Sequence, residues 1–276
     1  MNKAIEDNSF EGWLNEEIRD VTFSDKRLIE RFKKLLNQLW KNLGQSIPLA
    51  WQDWANTKAA YRFLSNSKIT IEKILQGHFM STKKRVMAIC SPYILIIQDT
   101  TEFSYNRKEA GEIGWTKIFN SNKNLYKKCG LLMHSSLAIT SEGLPLGLCA
   151  IKFWDRKSFK GTNEMKKIVN PTRFSIETKE SKKWLENLAS SMSLLEDNQR
   201  CVHIGDRESD IYELFSLSEE LNTNFVIRAC QNRLIEDKHK KIKEKMEASE
   251  IAGTHIVKLE NSKNRKDKTW TFDKLL

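Results

Sequence analysis

Two short apolar runs, Tyr93-Ile-Leu-Ile-Ile97 and Cys201-Val-His-Ile204, constrain the fold more than any other feature of the chain. Each is followed within two residues by an aspartate, Asp99 or Asp206. Short apolar, β-branched runs of this kind read as strands buried on both faces, with polar residues at their exits. Two further strand candidates, Leu131 to Thr140 and Leu146 to Trp154, are separated by the turn signal Ser141-Glu142-Gly143. Within residues 179–195, Trp184, Leu185, Leu188, Met192 and Leu195 recur on one helical stripe. A helix from near Ser209 and a strand from Asn224 to Arg228 complete the order β-β-β-α-β-α-β. That order predicts an α/β fold with a mixed sheet flanked by helices.

Upstream, the periodicity is helical. Leu28, Phe32, Leu35, Leu36 and Leu39 follow Ser24, which reads as an N-cap, and Gly44 reads as the stop. A second helix fits Trp51 to Leu64, with Trp54, Ala55, Ala59, Tyr61 and Phe63 available for packing and Lys58 and Arg62 one turn apart on a face. A third begins after Thr70 and runs through Ile71, Ile74 and Leu75. Residues 1–90 therefore read as a compact helical module, residues 91–232 as the sheet-containing core and residues 233–276 as a third region.

Lys and Arg number 46 against 36 Asp and Glu, a net charge of +10, and the excess lies toward the two ends of the chain. A basic balance of this size points to a polyanionic partner. The five cysteines, Cys90, Cys129, Cys149, Cys201 and Cys230, are scattered and never form a C-x-x-C pair, which argues against a disulfide framework and a zinc ribbon. The expected setting is reduced and cytoplasmic. The apolar runs are too short to span a bilayer and the first residues carry no apolar signal core, so no membrane partner is expected.

In open α/β sheets, groups leaving the carboxyl ends of central strands converge where ligands bind. Asp99 and Asp206 both occupy such positions. If their strands are neighbours, the two carboxylates form a sparse, hard-oxygen pair of the kind Mg²⁺ prefers, and a two-metal arrangement would activate a nucleophile at a phosphodiester. The structural alternative is that each Asp caps a turn, with Asp206 complementing a helix dipole. Glu102, Glu208 and Asp210 are nearby acids with weaker claims, and Asp210 and Glu213 read as solvated first-turn charges. His134 and His203 lie in strand contexts and read as packed or tautomer-fixed histidines. Nothing supports a Ser-His-Asp hydrolase.

Six segments in order carry a family resemblance: SIPLAWQDWANTKAAYRFLSN (46–66), IIQDTTEFSY (96–105), HSSLAIT (134–140), GLPLGL (143–148), KESKKW (179–184) and GDRESDIYELF (205–215). From about residue 14 to residue 233 the chain resembles the bacterial cut-and-paste transposases of insertion sequences, whose core is ribonuclease-H-like and whose active site is a DDE triad. The resemblance implies a helical N-terminal module that binds the terminal inverted repeats as double-stranded DNA, an incomplete ribonuclease-H-like core, and Mg²⁺ or Mn²⁺ held by Asp99 and Asp206 as catalytic ligands. It also implies a homodimer on DNA. The family's third ligand, a Glu within a Y-x(2)-R-x(3)-E-x(6)-K signature, has no counterpart in this sequence. The expectation is a truncated or frameshifted chain with weak cleavage activity.

Beside the AYRF segment, Gln52, Asn56, Lys58, Arg62 and Asn66 are the candidate DNA contacts, the last three spaced four apart as on one helical face. Arg156, Lys157 and Lys160, in the connection after the third strand, form a second basic stretch able to guide a DNA backbone. Two other readings remain open. One is a non-catalytic DNA-binding protein that competes for element ends. The other is an aspartyl-nucleophile, Mg²⁺-dependent phosphatase, although Thr101 stands where that chemistry wants a second Asp.

Overall fold

The computed structural model describes residues 12–51, 53–106, 109, 111, 113–121, 124–156, 176–236, 241–250, 253–255 and 270–272. The chain divides into two compact units, residues 1–227 and 228–276. In the first unit, five helices come before the sheet among the described residues: α1 (12–18), α2 (Lys26–Lys41), α3 (Ile47–Trp51), α4 (Trp54–Leu64) and α5 (Ile71–Ala88). Three of them start at a polar N-cap whose side chain accepts a backbone N–H, the expected device for satisfying first-turn donors. These caps are Asp25 for α2, rather than the neighbouring Ser24, Asp53 for α4 and Thr70 for α5. The Asp53 cap explains why the segment read as one helix from Trp51 is two: α3 ends at Trp51 and the chain restarts at Trp54.

The helical module has its own core of Val21, Phe32, Leu35, Ala50, Trp51, Ala60 and Phe63. Phe23, Phe32 and Phe63 meet with ring centroids 5.6–5.8 Å apart. On α4 the inward positions are Thr57, Ala60 and Phe63, spaced three apart. Trp54 and Tyr61, expected to pack, instead point outward, at 79% and 50% exposure.

The sheet contains β1 (Ile94–Tyr105), β2 (Trp115–Ser121), β3 (Asn124–Thr140), β4 (Pro145–Trp154), β5 (Cys201–Gly205) and β6 (Asn224–Ile227). Its order is β2-β3-β1-β5-β6, with β4 also paired to β3. The β1–β3, β2–β3 and β3–β4 pairs are antiparallel and the β1–β5 and β5–β6 pairs are parallel, so the sheet is mixed. Strand β2 was not foreseen, and β1 runs six residues past Asp99 instead of ending before it. The crossovers are carried by α6 (Lys182–Leu195) between β4 and β5 and α7 (Tyr212–Glu220) between β5 and β6.

Alternation of side chains across the strands gives the sheet two unlike faces. On one, Ile94, Ile96, Ala138 and Cys201 are fully buried against Trp184, Leu188, Met192 and Leu195 of α6 and Val86 of α5. On the other, Leu95, Ile97, Met133, Leu137, Ile139, Val202 and Ile204 are only half-buried. The helical module is tied to this framework by a buried ionic cluster. Glu17 of α1, 6% exposed, accepts from Arg85 Nη1 at 2.9 Å and from His78 Nδ1 at 2.7 Å. His78 Nε2 in turn accepts from the Leu148 amide at 2.9 Å, and Arg85 Nε donates to the Leu146 carbonyl at 2.5 Å. Burial pushes the Glu17 carboxyl up, but its bonds to His78 and Arg85 outweigh that and hold it below its ordinary value.

The second unit, residues 228–276, contains α8 (Ile242–Ala248) and the antiparallel pair β7 (Gly253–His255) and β8 (Trp270–Phe272).

Candidate active site and nucleic-acid interface

Strands β1 and β5 are parallel neighbours in the register Ile94↔Cys201 to Ile97↔Ile204. Two residues further along each chain, that register puts Asp99 level with Asp206. Asp99 lies within β1, and Asp206 directly follows the last residue of the neighbouring parallel strand β5. Period-two alternation places Asp99 on the half-buried face with Leu95 and Ile97, and both Asp99 and Asp206 are exposed to solvent. Each is anchored at one oxygen by backbone: Asp99 Oδ1 accepts the Thr100 N–H at 2.7 Å, and Asp206 Oδ1 accepts the Glu208 N–H at 2.9 Å while capping the 3₁₀ turn Arg207–Ser209. The turn-capping role expected as the structural alternative is thus present at Asp206. The donors are hard oxygens, open to water and fixed at one end, which suits an Mg²⁺ or Mn²⁺ ion that keeps several of its waters.

No third acid joins them. Among the described residues, no group of three or more His, Cys, Asp or Glu side chains could hold a metal ion. Glu102 lies three residues from Asp99, hence on the opposite face. It is held by Thr116 Oγ1 at 2.8 Å, Lys117 at 3.0 Å and Lys128 at 3.1 Å. Burial opposes the shift, but these donors outweigh it and bring the Glu102 carboxyl down to about 2. Glu208 accepts from Lys183 Nζ at 3.2 Å. Asp210, expected to be solvated, is 9% exposed.

Behind Asp99, on the buried face, runs a polar chain that the sequence did not reveal. Thr100 Oγ1 donates to His134 Nδ1 at 2.9 Å, His134 Nε2 donates to Gln98 Oε1 at 3.3 Å, and Gln98 Nε2 donates to His203 Nδ1 at 3.0 Å. One direction of donation satisfies all three bonds, so the side chains fix one another's tautomers. Asn187 of α6 donates to the His134 carbonyl at 3.1 Å, and Trp184 meets the His134 ring edge-on with centroids 4.4 Å apart. Burial, reinforced by the charge of Lys183, lowers His134 to about 3, and burial alone lowers His203 to about 4, so both rings are neutral at physiological pH. This agrees with the expectation of packed, tautomer-fixed histidines. Burial also raises the Cys149 and Cys201 thiols to about 11 and about 12, which makes thiolate chemistry there untenable.

Lys183 is an unexpected element. It is 6% exposed, and its ammonium lies 5.2 Å from the Trp154 ring centre and 5.9 Å from that of Trp184. Its stem fills core space while Glu208 meets the charge at the mouth of the sheet.

The DNA-contact candidates fare differently. Lys58 and Arg62 lie exposed on α4. Asn56 is held by Asp53, whose carboxylate caps the helix, and accepts from Arg31 Nη1 at 3.3 Å. Asn66 is not on the helix with them: α4 ends at Leu64, with Ser65 as its C-cap, and Asn66 instead accepts the Lys68 amide at 3.0 Å. Arg156 bonds Glu180 and the Thr116 carbonyl. Gln52, Lys157 and Lys160 lie outside the described residues.

The first unit thus joins a helical module, with Lys58 and Arg62 exposed on α4, to a mixed α/β sheet. In comparison with known families, residues 10–69 match the transposase DNA-binding family. Among solved structures, the chain is similar to the Mos1 transposase paired-end complex with left transposon end, at 9% identity and a TM-score of 0.26 over 72% of this chain. It spans 59% of that chain's length.

Proposed function

We propose that this chain is a cut-and-paste DNA transposase of the DDE type. In this reading residues 1–90 bind the terminal inverted repeats, residues 91–232 form a ribonuclease-H-like core, and Asp99 and Asp206 hold Mg²⁺ or Mn²⁺ for phosphodiester cleavage and strand transfer. The supporting observation is the β1–β5 register, which makes neighbours of the two parallel strands from which Asp99 and Asp206, both exposed, follow two residues after the last paired positions. A divalent cation bound there supplies Lewis-acid stabilisation at the phosphate and lowers the pKa of bound water. The chain's own share is to hold the two oxygens in register, while Lys58 and Arg62 neutralise phosphates of the bound duplex. The location is cytoplasmic and the assembly on DNA a homodimer.

Cleavage by this polypeptide is inferred to be weak, because a two-metal displacement needs a third hard ligand and none accompanies the pair among the described residues. The same observation favours a second reading, a DNA-binding protein that competes for element ends without cutting them. Mn²⁺ titration followed by electron paramagnetic resonance tests the site. The wild type binds, and Asp99→Asn or Asp206→Asn weakens binding about tenfold or more. Equal binding by the wild type and both variants rejects Asp99 and Asp206 as ligands. Gel-shift of a duplex element end without Mg²⁺-dependent or Mn²⁺-dependent cleavage selects the non-catalytic reading.

A further inference from the structure

The outward face of α4 carries a pattern that the charges alone do not explain. At 100° per residue, Trp54, Lys58, Tyr61, Arg62 and Ser65 fall within one stripe about 100° wide. Trp54 is 79% and Tyr61 50% exposed, and among the described residues the side chains of Trp54, Lys58, Tyr61 and Arg62 make no hydrogen bond, ion pair or ring contact. The helix contains no acidic residue; Asp53 at its cap turns its carboxylate to the Asn56 N–H at 2.9 Å. Two large aromatics left in water on a folded helix are costly, and alternation with two free cations is the composition of a surface that meets a polyanion bearing apolar rings.

We propose that this stripe docks on duplex DNA, with Trp54 and Tyr61 packing on sugar and base surfaces in a groove while Lys58 and Arg62 take the flanking phosphates. The spacing is suitable: seven residues separate the two rings, about 10.5 Å along the helix, close to three base-pair steps of about 3.4 Å. The proposal rests on the DNA-binding reading and deepens it by dividing the contact into an apolar part and an electrostatic part. Each part has its own signature, since phosphate neutralisation sets the salt slope whereas ring contacts do not.

The test uses the full chain, a fluorescein-labelled mixed-sequence duplex of about 30 base pairs and fluorescence anisotropy across a KCl series. Trp54→Ala/Tyr61→Ala is expected to weaken binding about tenfold or more at every salt concentration with the slope unchanged, and Trp54→Phe/Tyr61→Phe to restore most of it. Lys58→Ala/Arg62→Ala is expected to reduce the slope by about 1.8. Because all four side chains are exposed, far-ultraviolet circular dichroism and Tm should match the wild type. Wild-type affinity in Trp54→Ala/Tyr61→Ala overturns the proposal and leaves the DNA-binding reading intact. Absence of salt-dependent binding by the wild type overturns both.

Discussion

The buried chain Thr100–His134–Gln98–His203 makes the fold sensitive to mild acid, with a size that follows from the structure. Both imidazoles ionise near 6.5 in the unfolded chain but only at about 3 and about 4 when folded. Lowering the pH therefore protonates the unfolded state first. Stability is fully present above pH 6.5 and is lost as pH falls toward the folded values. Between pH 7.5 and 5.5 each histidine removes about 1.4 kcal/mol, so the pair removes about 3 kcal/mol. Glu17 does not enter this window, because its contribution declines only below its ordinary value of 4.5. Urea unfolding at pH 7.5, 6.5 and 5.5, at constant ionic strength, reads the loss as a falling midpoint. His203→Asn puts an oxygen near the Nδ1 position to accept from Gln98 but cannot titrate, so it should halve the pH dependence. A wild-type midpoint that is the same at pH 5.5 and 7.5 would refute the argument, as would a His203→Asn variant that keeps the full dependence.

Other consequences can be measured in the same way. Glu17→Gln removes the charge from the cluster that joins α1, α5 and β4; full burial would set the loss at 3–5 kcal/mol, and because Arg85 and His78 keep about a third of their exposure, about 2 kcal/mol is expected, a fall in Tm of roughly 4–8 °C. An unchanged Tm would show that the cluster is not a tie. Gly77→Ala would put a Cβ 1.8 Å from the Glu17 carbonyl oxygen, so α1 and α5 must separate. The expected loss is about 3 kcal/mol by urea unfolding, whereas Gly44→Ala, with open space around it, suffers only the strain of its positive φ.

What the sequence made legible and what it hid divide along physical lines. The Ile94–Ile97 and Cys201–Ile204 runs were readable because a strand buried in a parallel pair has little choice but to be apolar. The continuation of β1 through Asp99-Thr-Thr-Glu was hidden because polar residues read as an exit, although the β-branched Thr100 and Thr101 were a signal for strand. Strand β2 was missed because Trp115-Thr-Lys-Ile-Phe-Asn-Ser mixes large apolar, charged and small polar side chains, with no clean period of two to mark one buried face. On α4 the apolar residues outnumber what one face can hold. Counting Trp54 and Tyr61 as packed obscured the actual inward positions Thr57, Ala60 and Phe63, of which two are small. The His–Gln–His chain could not be read at all, since it exists only once Gln98 and His203, 105 residues apart, are brought together by strand register.

Strand alternation also explains why the acids nearest Asp99 and Asp206 in sequence do not join them among the described residues. Consecutive strand residues face opposite ways, so a single stretch of β1 performs two tasks: Gln98 and Thr100 turn inward to neutral partners, and Asp99 between them turns outward to water. The same rule sends Glu102, three positions on, to the face opposite Asp99, where two lysines and Thr116 hold it. Glu208 follows Asp206 around the 3₁₀ turn and is drawn to Lys183 in the first turn of α6. Acids close in sequence to the pair are thus directed away from it by local geometry.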